Sequence, residues 1–314
     1  LTEAIAGRRG RPARQEPASD TRRGLVVGTH GRHAVVQDDQ GRRHRCHWRG
    51  RRSEAVVGDV VDWAASGDEG VIEAVSPRRN LLFRQDEART KSFAANLDAL
   101  LVLVAVEPPF SDFLLARALI AARSAGIPAW VGLNKTDLPG AAAARERLAP
   151  YAAMGVETVE LSLKTQGEAS ARLLRDRLGG RTTLLLGPSG MGKSTLINLM
   201  VPDAQAAVGE ISSALNAGRH TTTTTSWYAL GPRASDGALI DSPGFQAFGL
   251  RHLGAADLAM LMPDVSAHLG ACRFYNCTHR HEPGCGVREA AEQGLIAPSR
   301  WQIYRALFDE LADG

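Results

Sequence analysis

No stretch of this 314-residue sequence is apolar for long enough to cross a bilayer. The longest clean run, Ala99–Val106, lies between Asp98 and Glu107 and has the length of a buried strand, whereas a spanning helix needs about 20 residues. No apolar core follows the basic residues near the N-terminus, so no secretory signal is visible. The chain begins at Leu1 rather than Met, and its true start is expected to lie elsewhere. Cysteine is scarce. Of four, three fall within residues 272–285, and without a signal peptide disulfides are not expected. Internal repeats and long low-complexity segments are missing as well. What remains is an ordinary globular composition, 44% hydrophobic and 23% charged, in a chain long enough for two or three domains.

The net charge of +3 conceals an asymmetry. Residues 1–55 hold thirteen Arg against six acids, a local +7 on a body that is otherwise slightly acidic. Such a front end fits a polyanion partner, with nucleic acid the first choice. Residues 1–22 read as a basic disordered tail. From there to residue 82, short alternating runs ("GLVVGTH", "HAVVQ", "RRHRCHW", "AVVGDVVDW", "GVIEAV") are broken by polar turns. Five such strands predict a small closed barrel of the OB type, a fold that often binds RNA. In "HRCHWRGRR" Trp48 stands among Arg and His, an arrangement suited to base stacking with phosphate contact or to a half-buried edge-strand Trp.

Residues 83–96 read as a polar connector. Strand and helix signals then alternate: "LDALLVLVAV", a helix from Asp112 to Ala125 stopped by Gly126, "PAWVGL", an Ala-rich helix over 141–153, "VETVEL", a helix over 168–178 and "TTLLL". This alternation predicts a mainly parallel sheet covered on both faces, an α/β architecture.

"GPSGMGKS" (187–194) fits the G-x-x-x-x-G-K-[ST] pattern, between an apolar strand and the apolar run "TLINLM". Its glycines allow the backbone to curl so that N–H groups meet phosphate oxygens at a helix N-terminus. Lys193 reaches the terminal phosphates and the Ser194 hydroxyl ligates Mg²⁺. "DSPG" (241–244) follows another short apolar strand. There Asp241 is placed to hold Mg²⁺ through water and the Gly244 N–H to meet the γ-phosphate. A phosphate loop alone also fits a kinase or an ATPase. "NKTD" (134–137) decides for guanine, because Asp137 accepts from the guanine N1–H and 2-amino group, a donor pair that adenine lacks. Asn134 is expected on the other edge of the base and the Lys135 stem over its face. "LSLK" (161–164) supplies the short Ser-containing loop, with Ser162, against the guanine carbonyl.

The base loops thus precede the phosphate and Mg²⁺ loops. Cutting a usual GTPase between its third and fourth loops and joining its old termini gives this order without disturbing the sheet, since ligand loops sit at strand carboxyl ends. The chain reads as circularly permuted, and whatever follows Asp241–Gly244 is tied directly to the γ-phosphate sensor. "GRHTTTTTSW" (218–227) lies where a GTPase needs a Thr for Mg²⁺ and γ-phosphate, and its five Thr leave the register open. Where many GTPases place a water-orienting Gln after the D-x-x-G glycine, this chain has Phe245. "CRFYNCTHRHEPGC" offers Cys272, Cys277, Cys285 and either His279 or His281, a donor set for closed tetrahedral zinc. A capping box from Ser299 to Gln302 is expected to open a last helix with Tyr304, Leu307, Phe308 and Leu311 on one face.

In this combination the sequence resembles the RsgA (YjeQ) family of ribosome small-subunit-dependent GTPases from about Gly24 to the C-terminus. The resemblance implies an OB-fold barrel (23–82), a circularly permuted P-loop GTPase domain (90–250) and a zinc-binding helical module (251–314). It implies a cytoplasmic monomer without membrane contacts that binds the small ribosomal subunit through rRNA, acts late in its maturation and is stimulated by it. The GTP-binding set becomes Asn134, Lys135, Thr136, Asp137, Ser162, Gly187, Pro188, Ser189, Gly190, Met191, Gly192, Lys193, Ser194, Thr195, Thr222, Asp241 and Gly244. Ser194, Thr222 and Asp241 hold Mg²⁺. The family pattern selects Thr222 among the threonines and His279 as the fourth zinc ligand. His220, beside the switch Thr, is the candidate catalytic residue.

Overall fold

The computed structural model describes residues 21–49, 55–86, 90–202, 204, 225–242, 245 and 248–313. Its first five strands are β1 (Arg22–His30), β2 (His33–Gln37), β3 (Arg43–Trp48), β4 (Val60–Ser66) and β5 (Glu69–Val75). They pair in the order β1-β2-β3-β5-β4, and β4 returns to β1 to close the sheet. Neighbours are antiparallel except β3 and β5. This is the expected five-stranded OB-type barrel. Alternation sends Val26, Val36, Val61, Trp63 and Ile72 into a single core, with Cys46 fully buried among them. Trp48 is half-buried and packs against that core. Trp48 is thus half-buried, as one of its two readings has it, but β3 pairs with both β2 and β5 and is not an edge strand.

The described part of the 83–96 stretch is not a connector. It contributes to a two-stranded ribbon, β6 (Leu81–Gln85) and β7 (Thr90–Ala95), paired antiparallel. The apolar ends, Leu82 with Phe93 to Ala95, are buried. The polar residues Arg84, Gln85, Thr90 and Lys91, which dominate the sequence pattern, lie on the two strands away from these ends.

The main sheet contains β8 (Ala99–Ala105), β9 (Ala129–Asn134), β10 (Thr158–Glu160), β11 (Thr182–Leu186), β12 (Ser226–Ala229) and β13 (Ala238–Asp241). Its order is β10-β9-β8-β11-β13-β12, parallel throughout except for the β12–β13 pair. One backbone pairing, Gly28 opposite Ser226, joins β1 of the barrel to β12, and Trp227 packs against Val27 and Val35 beside it. Every residue of β8 is buried, as a central parallel strand covered on both faces requires. Leu100, Val102 and Val104 face one core while Leu101, Leu103 and Ala105 face the other. The first core is covered by α1 (Asp112–Ser124) and α2 (Ala141–Ala153), the second by α3 (Gly167–Leu178) and α4 (Lys193–Met200). Ser111 caps α1 by accepting from the Leu114 N–H. Gly179 and Gly180 end α3 and lead straight into β11 at the middle of the sheet, which is the join that the permuted order demands.

After β13 come α5 (Ala255–Leu261), α6 (Pro263–Ser266), α7 (Gly286–Glu292) and α8 (Pro298–Ala312). Leu258, Met262, Val265, Val287, Ile303 and Leu307 belong to the same apolar cluster as Leu100 and Leu115, so this module shares a core with the sheet. The expected capping box is not formed. Pro298 takes the first helical position after Ala297, its fixed φ suiting the start of a helix.

One buried charge pair stabilises the seam between barrel and ribbon. The Asp59 side chain is fully buried and receives the Val56 N–H at 2.8 Å and two hydrogen bonds from Arg78, each 2.8 Å. Arg78→Met leaves a buried carboxylate without its cation and is expected to cost about 3 kcal/mol in chemical denaturation. An unchanged unfolding midpoint contradicts this.

Candidate functional site

β9, β10, β11 and β13 end at the same rim of the sheet, and the four expected loops open from those ends. They enclose a cleft of about 810 Å³, of a size for a nucleotide. One end is the loop Gly187–Gly192 between β11 and α4. Gly190 (φ +82°) and Gly192 (φ +104°) take left-handed backbone that side chains resist. A Cβ on Gly187 would stand 2.3 Å from the Leu103 carbonyl oxygen, so the loop can leave β11 against β8 only as glycine. Lys193 Nζ donates to the Gly187 and Pro188 carbonyls at 2.6 and 2.9 Å, folding over the loop. Burial lowers the Lys193 pKa and raises that of Asp241, and each charge counters the other's shift. Asp241 Oδ1 is buried with no hydrogen-bond partner. A partnerless carboxylate oxygen near Lys193, in the cleft that Ser194 also lines, has the chemistry of a Mg²⁺ position.

At the other end Lys135, Asp137, Leu138, Leu163 and Lys164 line the cleft. Lys135 adopts φ +63° and its Nζ donates to the Glu107 carbonyl. Thr136 holds the loop from behind, its N–H and hydroxyl meeting the Leu161 carbonyl and its Oγ1 lying 3.1 Å from Ser162 Oγ. Ser162 is buried, and its N–H donates to Ser170. Between the two ends sits Asn134, 3% exposed. Its Nδ2 donates to the Met191 carbonyl at 2.8 Å and its Oδ1 accepts from the Leu163 N–H at 3.1 Å. One amide therefore ties the base loop, the phosphate loop and the Ser162 loop together, leaving one N–H of Nδ2 for a ligand.

Of the expected set, Asn134, Lys135, Asp137, Gly187, Pro188, Ser189, Gly190, Gly192, Lys193, Ser194, Thr195 and Asp241 converge on the cleft. Thr136, Ser162 and Met191 support its wall from behind. His220, Thr222 and Gly244 lie outside the described residues. Lys164, Ser242 and Phe245 also line the cleft. A signal for Lys164 was present: the chain has four Lys among 37 basic residues, and three of them, Lys135, Lys164 and Lys193, are here. Phe245 is 3% exposed and packs edge-on against Phe248, so it contributes an apolar wall and no polar group.

The second constellation lies below α8. The ligand atoms of Cys272, Cys277, His279 and Cys285 all lie within 4.8 Å of one another. His279 Nδ1 is 3.5 Å from Cys272 Sγ and 3.4 Å from Cys285 Sγ. His281 is exposed and stands outside the group. Burial, together with the neighbouring sulfurs, pushes the Cys277 thiol up to about 12. Three crowded sulfurs and an imidazole become compatible as thiolates only around a cation, and the donor set matches closed tetrahedral zinc.

A family model described as RsgA GTPase matches residues 75–251. The chain belongs to the RsgA GTPase family. Its activity is GTP hydrolysis, in ribosome biogenesis. It is 55% identical over 294 residues to a "Small ribosomal subunit biogenesis GTPase RsgA" from Variovorax paradoxus, covering 92% of each chain. A protein of the same name from Paraburkholderia xenovorans is 52% identical, with 95% of this chain and 96% of that one covered. Among solved structures, YjeQ from Thermotoga maritima is similar at TM-score 0.69 and 30% identity, over 94% of this chain and 99% of that chain. YloQ, described as a circularly permuted GTPase, shares the fold at TM-score 0.67 and 23% identity, over 96% and 98%. The RsgA fold thus carries the permuted order read from the loops.

Asn134→Ala removes both ties at once. Each lost buried hydrogen bond costs about 1–3 kcal/mol. GDP affinity is therefore expected to fall by about ten-fold or more in calorimetric titration, while the fold survives. Wild-type affinity contradicts the role assigned to this amide.

Proposed function

We propose that this RsgA-family GTPase binds the small ribosomal subunit through rRNA, acts late in its maturation and hydrolyses GTP when the subunit stimulates it. It works as a cytoplasmic monomer, with the basic barrel over 23–82, the permuted GTPase unit over 90–250 and the module over 251–314 as its parts. The observation that carries the reading is the route out of the nucleotide site. Asp241 leads through Phe245 to Phe248, whose ring stacks on Phe93 of the ribbon at 5.4 Å. The next residues are strapped to the same ribbon, with Gln85 N–H to the Gly249 carbonyl and Arg251 N–H to the Gln85 carbonyl, both 3.1 Å. Arg117 donates to the Phe248 carbonyl at 3.2 Å and pairs with Glu310 of α8. A movement at the γ-phosphate sensor is thus passed to the ribbon beside the barrel and to the C-terminal module.

Ser194, Thr222 and Asp241 would hold Mg²⁺, which when bound neutralises charge on the phosphates. The rest falls to the chain itself. Asp137 and Lys135 select guanine, Lys193 and the loop N–H groups fix the phosphates, and Asn134 keeps the two ends in register. Phe245 offers nothing to orient water, and this fits a slow intrinsic rate. His220 is assigned to the attacking water. Cys272, Cys277, His279 and Cys285 would hold one structural zinc.

Two experiments test this. His220→Ala is expected to cut subunit-stimulated phosphate release by about ten-fold or more, with GTP-analogue affinity retained. A stimulated rate equal to wild type removes His220 from the chemistry. Metal analysis should find about one zinc per chain. Cys277→Ser should lower that content and loosen the C-terminal module while GDP still binds. A metal-free protein of full stability contradicts the zinc assignment.

A further inference from the structure

The cysteine cluster carries a feature that metal binding does not require. The ligands Cys272 and Cys277 bracket Arg273, Phe274, Tyr275 and Asn276, and all four are exposed. Tyr275 shows its whole side chain to solvent, at 103% of its reference area, and Phe274 is 40% exposed. They are two of four exposed large apolar side chains among the described residues, and the two are adjacent. The backbone holds them in place. The Cys277 N–H donates to the Phe274 carbonyl at 3.2 Å, closing a turn with Tyr275 and Asn276 at its tip. The Arg273 N–H donates to the Gly284 carbonyl at 2.9 Å, fastening the base of the turn to the far side of the cluster.

The surroundings are cationic and polar rather than apolar. The Arg273 guanidinium lies 5.5 Å from the centre of the Phe274 ring. Arg280 and His281 are exposed on the neighbouring loop, and the nearby carboxylate of Glu282 is spent inside that loop on the N–H groups of Thr278, Arg280 and His281. Arg280 is braced by Asp309 at 2.7 Å and lies over Phe308 of α8. A bare ring on a fixed turn beside guanidinium groups matches how proteins hold unpaired nucleotides: the base stacks on the aromatic face and cations meet its phosphates. Trp48 of the barrel is half-buried against its core, whereas the Tyr275 ring is fully exposed.

We propose that Tyr275, at the tip of the turn between Cys272 and Cys277, is a stacking platform for an unpaired base of RNA, with Arg273 of the same turn for a flanking phosphate. This inference rests on the reading of the protein as a small-subunit binder and names the contact that the C-terminal module makes. In the test, zinc-loaded full-length protein carrying a non-hydrolysable GTP analogue is titrated against purified small ribosomal subunits. Tyr275→Ala is expected to weaken binding by about ten-fold, while Tyr275→Phe and Tyr275→Trp stay close to wild type, because the ring and not the hydroxyl makes the contact. Zinc content and GDP affinity should be equal in all four proteins. Wild-type affinity in Tyr275→Ala overturns the proposal, and so does a loss in Tyr275→Phe as large as that in Tyr275→Ala. A photoreactive group at position 275 should cross-link to RNA, and cross-linking to a ribosomal protein instead also overturns it. If wild-type protein itself fails to bind subunits, the proposed function falls and this inference with it, whereas binding that is indifferent to Tyr275→Ala sinks this inference alone.

Discussion

The nucleotide cleft depends on a single buried amide. Asn134 closes β9, and its side chain hydrogen-bonds to the phosphate loop and to the Ser162 loop at once. The dependence is mutual, because a Cβ on Gly192 would stand 2.4 Å from Asn134 Nδ2. The phosphate loop must be glycine at this point so that the amide can reach the Met191 carbonyl. In a chain whose base loops come before its phosphate loop, no short covalent link holds the two halves in register. The parallel pairing of β8 with β9 and with β11 sets their distance, and Asn134 sets their geometry.

The loops were legible because their chemistry is local. A strand end, a run of glycines and a few polar residues of fixed spacing identify a phosphate or base site without knowledge of the neighbours. Chain order then fixed the permutation, and the sheet order β10-β9-β8-β11-β13-β12 agrees with it. The five barrel strands were legible from their period-two alternation. The ribbon of β6 and β7 was not, because only its two ends are apolar and the sequence between them is polar. Nor was the half-burial of Trp48, since a Trp among arginines has the same sequence pattern whether its ring faces water or the barrel wall. The start of α8 was misread for a similar reason: Ser299 and Gln302 have capping-box spacing, but Pro298 occupies the first turn and moves the cap to Ala297.

Where Asn134 fixes the site, the segment from Phe248 to Arg251 connects it to the rest. Gly249 lies so close to the ribbon that a Cβ there would meet Asp86 Oδ1 at 2.2 Å and the Gln85 carbonyl oxygen at 2.4 Å. The close approach lets main chain bond to main chain, in an isolated parallel bridge of Leu250 with Gln85. Permutation thereby gives the strand end at Asp241 a covalent path to α8 and to the cysteine cluster. Under the proposed function, the nucleotide controls through this path how the barrel and that cluster engage RNA.

The most direct test of such control is the affinity of the wild-type protein for purified small ribosomal subunits, measured with GDP bound and with a non-hydrolysable GTP analogue bound. Binding should be tight in the analogue state and weak in the GDP state, with ADP and ATP analogues without effect. Equal affinity in the two guanine-nucleotide states would contradict it.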